Sequence, residues 1–165
     1  MILNACILVA VTLQRLSELW LSRRNTRQLL SFGAREYSSG HYPFIIAVHA
    51  AWIGALWWLG IDRTVNFPWL ALFIFIAAAR FWVMVSLGSR WTTRIIVLQG
   101  PLVRRGPYRF LAHPNYLVVI AETIVLPLVF GLRHVAILFA FLVGAALVVR
   151  IRAENEALKF AGRYL

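Results

Sequence analysis

His113-Pro-Asn-Tyr-Leu-Val-Val-Ile-Ala-Glu122-Thr-Ile-Val-Leu-Pro-Leu-Val-Phe130-Gly-Leu-Arg133-His-Val-Ala-Ile-Leu-Phe-Ala-Phe-Leu-Val-Gly-Ala-Ala-Leu-Val-Val149-Arg150 is the stretch that decides the fold. Two apolar runs, Pro114–Phe130 and His134–Val149, flank Gly131-Leu132-Arg133. Each is short for an independent membrane span, which needs about 20 apolar residues. Together they read as a tight helical hairpin. Equidistant residues of two antiparallel helices come to one level, because both rise equally per residue. Tyr116 lies sixteen positions before Leu132, and Arg150 lies eighteen after it. His113 is nineteen before, and Arg152 is twenty after. The segment His113–Tyr116 should therefore meet the Arg150 turn at one end of the hairpin.

Outward from the hairpin the chain stays apolar. Of its 165 residues, 61% are hydrophobic and 14% charged, too little charge to cover a soluble domain of this length. Three further runs of spanning length occupy Ile2–Leu21, Pro43–Ile61 and Phe67–Leu87. The reading is an all-α integral membrane protein of five transmembrane helices. It ends in the helical hairpin and a cytoplasmic helical extension, and residues 1–165 form a single domain. Arg15 and Glu18 inside the first run, and the lack of a basic leader, argue against a cleaved signal peptide. The net charge of +11 is unevenly spread. Segments 22–42, 88–113 and 150–165 hold four, five and four basic residues, against Arg63 and Arg133 in the opposite loops. This bias predicts an external N-terminus and a cytoplasmic C-terminus, in a bacterial inner membrane. It also explains the charge without nucleic acid, for which no groove-reading or base-stacking motif is present.

Polar residues gather at two places. Gly106-Pro-Tyr-Arg-Phe-Leu-Ala-His-Pro-Asn-Tyr116 precedes the fourth helix, and Arg150-Ile-Arg-Ala-Glu-Asn-Glu156 follows the fifth. Arg150 and Glu154 are four apart and share one helix face. Singly, each piece has an ordinary explanation. Pro114 suits the first turn of any helix, Tyr108 and Tyr116 suit an interfacial belt, and Arg150 with Glu154 suits a surface pair. Their convergence at a helix terminus at membrane depth argues for a lined cavity. Deeper charges need partners: Arg15 can pair with Glu18, and Arg80 with Glu122. His49 reads first as a helix-packing hydrogen bonder. One cysteine, Cys6, and four scattered histidines offer no disulfide and no metal-ligand spacing.

Gly100-Pro-Leu-Val-Arg-Arg-Gly-Pro-Tyr108, His113-Pro-Asn-Tyr116 and Arg150…Glu154…Leu158 together resemble the isoprenylcysteine carboxyl methyltransferase family. The small bacterial branch associated with type III polyketide synthases is the nearest in pattern. Arg15-Leu-Ser-Glu18, Gly33-Ala-Arg-Glu36, His41-Tyr-Pro43 and Leu87-Gly-Ser-Arg-Trp91-Thr-Thr-Arg-Ile95 extend the resemblance over nearly the whole chain. The resemblance implies S-adenosylmethionine as methyl donor. By position, Gly100, Pro101, Leu102, Val103 and Tyr108 would hold its adenosyl part. His113, Pro114, Asn115 and Tyr116 would line the same pocket, Glu154 would face its amino-acid part, and Arg150 would approach the acceptor as substrate-binding and catalytic residue. The chain departs from the family pattern at Ala112, where Arg is usual, and at Asn155, where a second Glu is frequent.

The chemistry is consistent with that assignment. Tyrosine faces can steady a sulfonium by about 0.5–2 kcal/mol. A carboxylate at 154 matches the donor's ammonium, and a permanently charged guanidinium matches an anionic acceptor oxygen. Alignment and exclusion of water would supply catalysis without metal or protein nucleophile. The implied partner is a lipidic small molecule drawn from the membrane, such as an alkylpyrone or alkylresorcinol methylated on oxygen. Prenylcysteine carboxylate and phospholipid amine are alternatives within the fold. A non-catalytic lipid binder or transporter, and a reductase on a related fold, are alternatives outside it.

Overall fold

The structure, a computed structural model, describes residues 1–37, 40, 42–101 and 103–160. His41, Leu102 and Arg163 lie outside the described residues. Five helices carry the fold: α1 (Ile2–Ser31), α2 (Tyr42–Gly60), α3 (Phe67–Leu87), α4 (Pro114–Val129) and α5 (Arg133–Phe160). Four of them, α1, α2, α3 and α5, are long and apolar enough to cross a membrane. The fourth in sequence, α4, has 16 residues, about 24 Å at helical rise, which is less than a hydrocarbon core. Large apolar side chains such as Trp58, Phe75, Phe81 and Phe141 point outward. Such a surface belongs in lipid.

The hairpin forms as expected. Gly131 turns it at φ 69°, and α4 packs along both α3 and α5. Trp52, Leu56, Leu126, Val129, Phe130 and Val143 fill the core between α2, α4 and α5. Three expectations need correction. The first helix does not end at Leu21 but continues to Ser31, because Ser22, Asn25, Thr26 and Leu29 recur at helical spacing and bury one face. Asn25 Nδ2 donates to the carbonyls of Trp91 (2.8 Å) and Gly88 (3.3 Å), so a polar stripe replaces the apolar one. The fifth helix does not stop at Val149. It runs unbroken to Phe160, so Arg150 and Glu154 ride on a rigid rod. The all-α reading also omitted a small antiparallel pair, β1 (Arg35–Tyr37) and β2 (Ile95–Val97), in register Arg35↔Val97. The pair pins the loop after α3 against the end of α5, where Ile95, Val97 and Ala157 pack together.

The intramembrane charges form one neutral cluster. Arg80 grips Glu18 with both Nε (2.5 Å) and Nη2 (2.6 Å) and reaches Glu122 with Nη1 at 3.0 Å. Arg15 also bridges Glu18 (3.0 Å) and Glu122 (2.7 Å). Both pairings expected from the sequence are present, fused into a four-residue tie between α1, α3 and α4.

Candidate active site

An arginine-lined cleft of about 970 Å³ opens at the end of the bundle where α4 begins. Its floor is a chain of side chains. Arg150 is buried on α5; its Nε donates to the Tyr116 hydroxyl at 2.9 Å. That hydroxyl donates to Glu154 Oε2. The surface ion pair that would be the ordinary explanation of Arg150 and Glu154 is thus not direct: Tyr116 stands between them. Arg150 also lies over the Tyr116 ring at 5.6 Å. Its Nη1 donates to the Thr93 carbonyl at 2.5 Å. His113 stacks on Tyr116 at 5.4 Å and sets Nδ1 3.8 Å from Glu154. Its Nε2 is 3.2 Å from Asn155 Oδ1, so Asn155 is a partner of His113.

The cleft brings together Val103, Tyr108, His113, Asn115, Tyr116, Arg150 and Glu154 from the residues singled out by sequence. It does not bring in Gly100, Pro101 or Pro114. Gly100 and Pro101 are exposed, with the Pro101 carbonyl accepting from Arg90 Nη1 at 2.5 Å. Pro114 is the buried first residue of α4, where its missing N–H costs nothing.

Tyr108 sits on a short 3-10 turn, Gly106–Arg109. The turn is close-packed: Gly106 has φ +57°, and a Cβ there would come 2.1 Å from Ser86 Oγ. The Tyr108 hydroxyl is buried and has no hydrogen-bond partner among the described residues. Burial, reinforced by the Glu154 charge, holds its ionisation above the ordinary tyrosine range, so it stays protonated as a donor. A buried unpaired donor beside a carboxylate is a place for a polar ligand. Arginines 90, 94, 104 and 109 also line the cleft.

Sequence reasoning missed Thr93. Its hydroxyl meets Ser22 (2.7 Å) and Tyr42 (2.9 Å), its N–H donates to Ser22, and its carbonyl holds Arg150. Thr93 lies within the Leu87–Ile95 stretch that carries the family resemblance, but nothing in that stretch gave it a role. A second cavity of about 240 Å³ lies between α1, α2, α4 and α5, with Arg80 of α3 at its border. It is mainly apolar, lined by Leu16, Leu19, Ile46 and Val119 among others. Trp91, Thr92, Asn115, Tyr116 and Arg150 line both cavities and form the wall between them.

An apolar helical bundle with four helices long enough to cross a membrane, and an arginine-lined cleft at one end, defines an integral membrane protein. The chain belongs to the isoprenylcysteine carboxyl methyltransferase (ICMT) family, whose model matches residues 69–160. It is 35% identical over 168 residues to the uncharacterized protein YpbQ of Bacillus subtilis (strain 168), covering 93% of this chain and 95% of that protein. It is 28% identical over 161 residues to an uncharacterized protein of Haemophilus influenzae (strain ATCC 51907 / DSM 11121 / KW20 / Rd), covering 93% and 91%. No solved structure matches it. Family membership makes it a methyltransferase, in a family that uses S-adenosylmethionine on membrane-associated substrates.

Proposed function

We propose that the protein methylates an oxygen of a lipidic aromatic or pyrone, such as an alkylresorcinol or alkylpyrone, at the cytoplasmic face of the membrane. The observation that carries the reading is the wall shared by the two cavities. Arg150 and Tyr116 stand with the arginine-lined cleft on one side and an apolar pocket on the other. A polar donor and a greasy acceptor can meet there without either entering the other's solvent.

S-adenosylmethionine, when bound, supplies an electrophilic methyl group on a sulfonium. Glu154 suits its ammonium and the rim arginines its carboxylate, each by charge-assisted contact. The unpaired Tyr108 hydroxyl and the faces of His113 and Tyr116 suit the rest. Arg150 draws the acceptor oxygen to the wall, and its ties to Thr93 and Tyr116 fix its orientation. The apolar pocket excludes water from that oxygen. Leu16 and Ile46 stay exposed at the edge of this pocket, so an alkyl tail can lie between α1 and α2 in the bilayer.

The proposed topology has five spans in one membrane domain, an external N-terminus and a cytoplasmic C-terminus. It is supported by the basic bias of the loops. The proposed cofactor is tested by calorimetry of detergent-solubilised protein with S-adenosylmethionine and with S-adenosylhomocysteine. Micromolar to millimolar binding is expected. Labelled donor is then offered with a pentadecyl-resorcinol, an undecyl hydroxypyrone, a prenylcysteine and a phosphatidylethanolamine. Label on the first two supports the reading; label only on either of the others, or none, overturns it.

A further inference from the structure

The apolar cavity contains an imidazole that the reading above leaves unused. His49 faces it from α2, on a stripe with Tyr42, Ile45, Ile46 and Ile53. Its Nδ1 lies 2.9 Å from the Ile45 carbonyl. A carbonyl only accepts, so Nδ1 carries the ring hydrogen and Nε2 carries a lone pair. Among the described residues, Nε2 meets no hydrogen-bond partner. Seven residues of helix separate His49 from Tyr42, a rise of about 10 Å. The bond to Ile45 turns the ring back by one helical turn toward the Tyr42 end. At that end the Tyr42 hydroxyl meets Thr93, whose carbonyl holds Arg150. Arg150 and Tyr116 line the same cavity from the other side.

The other charged groups around the ring are occupied. Arg15, Glu18 and Arg80 border the cavity from α1 and α3. Arg80 and Arg15 are committed to Glu18 and Glu122, and Glu18 is held by both. Among the described residues lining this cavity, His49 thus offers an imidazole nitrogen whose lone pair is uncommitted.

We infer that His49 Nε2 takes the proton from the hydroxyl of the acceptor, while Arg150 steadies the oxygen left behind. This inference rests on the methyl-transfer reading and narrows its substrate class. The acceptor is a phenol or enol that arrives protonated. A simple phenol holds its proton at neutral pH, as tyrosine does with a pKa of about 10. A carboxylate arrives without one and gains nothing from a base. In the step, the O–H bond breaks with its electron pair left on oxygen, and an N–H bond forms at Nε2. The imidazolium returns that proton to water as product leaves the cavity.

The test pairs His49→Gln with acceptors of graded acidity in the detergent-solubilised protein. On a pentadecyl-resorcinol the substitution lowers kcat about a hundredfold, the usual scale of a lost general base, with KM little changed. On a nitrated resorcinol, already ionised at the assay pH, most of the loss disappears. A second readout needs no cofactor. An alkyl nitrophenol bound to the native protein develops its phenolate absorbance at lower pH than when bound to His49→Gln. Calorimetry with S-adenosylhomocysteine, expected unchanged, reports that the variant is folded. Equal losses on both resorcinols, or coincident absorbance titrations, overturn His49 as the base and leave methyl transfer standing. Failure of the native protein to bind S-adenosylhomocysteine overturns the underlying reading instead, and the absorbance titration then decides the role of His49 alone.

Discussion

Replacing Tyr116 by Phe removes one oxygen and severs two contacts. The hydroxyl accepts from Arg150 Nε at 2.9 Å and donates to Glu154. The two losses are unequal. The Glu154 side chain is 31% exposed and can be rehydrated. Arg150 is 7% exposed, so its Nε is much harder to rehydrate. A hydrogen bond to a charged group contributes about 1.5–3 kcal/mol, and a buried unsatisfied donor costs the larger part of that. The Thr93 carbonyl still holds Nη1, so the guanidinium stays in place but swings about that anchor. About 2 kcal/mol falls on the step that needs Arg150 aligned, which is roughly a thirtyfold loss of kcat. Binding of S-adenosylhomocysteine should weaken only a few-fold. The assay is a double-mutant cycle of Tyr116→Phe and Arg150→Lys, with turnover measured on the pentadecyl-resorcinol. The two changes act on one contact, so the double variant should be little worse than Arg150→Lys alone. Effects that add to within about 0.5 kcal/mol would show the residues to be independent and refute the relay.

Glu154→Gln should weaken S-adenosylmethionine binding about ten- to a hundredfold by calorimetry, the scale of a charge-assisted contact. Arg150→Lys should keep cofactor affinity and depress kcat, because the ammonium lacks the planar fork that meets Thr93 and Tyr116 together. Small, equal effects of the two changes would remove these roles. Arg80→Leu should destabilise the protein by about 3–5 kcal/mol, seen as a lower Tm in detergent, since it leaves buried Glu18 and Glu122 sharing Arg15 alone, with one negative charge uncompensated. Adding Glu122→Gln, which leaves Arg15 paired with Glu18 and restores neutrality, should recover much of that loss. Single cysteines placed in segments 22–37 and 103–109 should be labelled from the same side of sealed vesicles; opposite sides would contradict the proposed topology.

The convergence of Tyr116 and Arg150 was legible because helix rise is arithmetic: equal distances from residues 131–133 set their levels. The Arg15–Glu18 pair was legible from spacing, and Arg80–Glu122 from the cost of leaving either alone in lipid. Their fusion into one cluster was not, because it depends on the relative heights of α1 and α3, which no spacing encodes. The β1–β2 pair escaped because three-residue strands 58 positions apart leave no periodic signal. The last ten residues of α1 escaped for a different reason. Their buried face is polar, so a reading tuned to apolar periodicity stopped at Leu21. Thr93 acts largely through its backbone, and a carbonyl is the same in every residue.

The charge cluster bears on how the chain enters the bilayer at all. Arg15 and Glu18 travel on one helix and can neutralise each other during insertion. Arg80 and Glu122 cannot, because α3 and α4 each bring a single charge that would cost about 2.5–3.5 kcal/mol at mid-membrane. Glu122 rides on the shortest apolar helix, which also contains Pro127. Such a segment is a poor autonomous passenger of the insertion machinery. It gains partners only where Arg15 and Arg80 are already beside it. Electrostatics then favours an order of assembly in which α1 and α3 stay together until α4 arrives, so that the four charges enter the lipid as one neutral cluster.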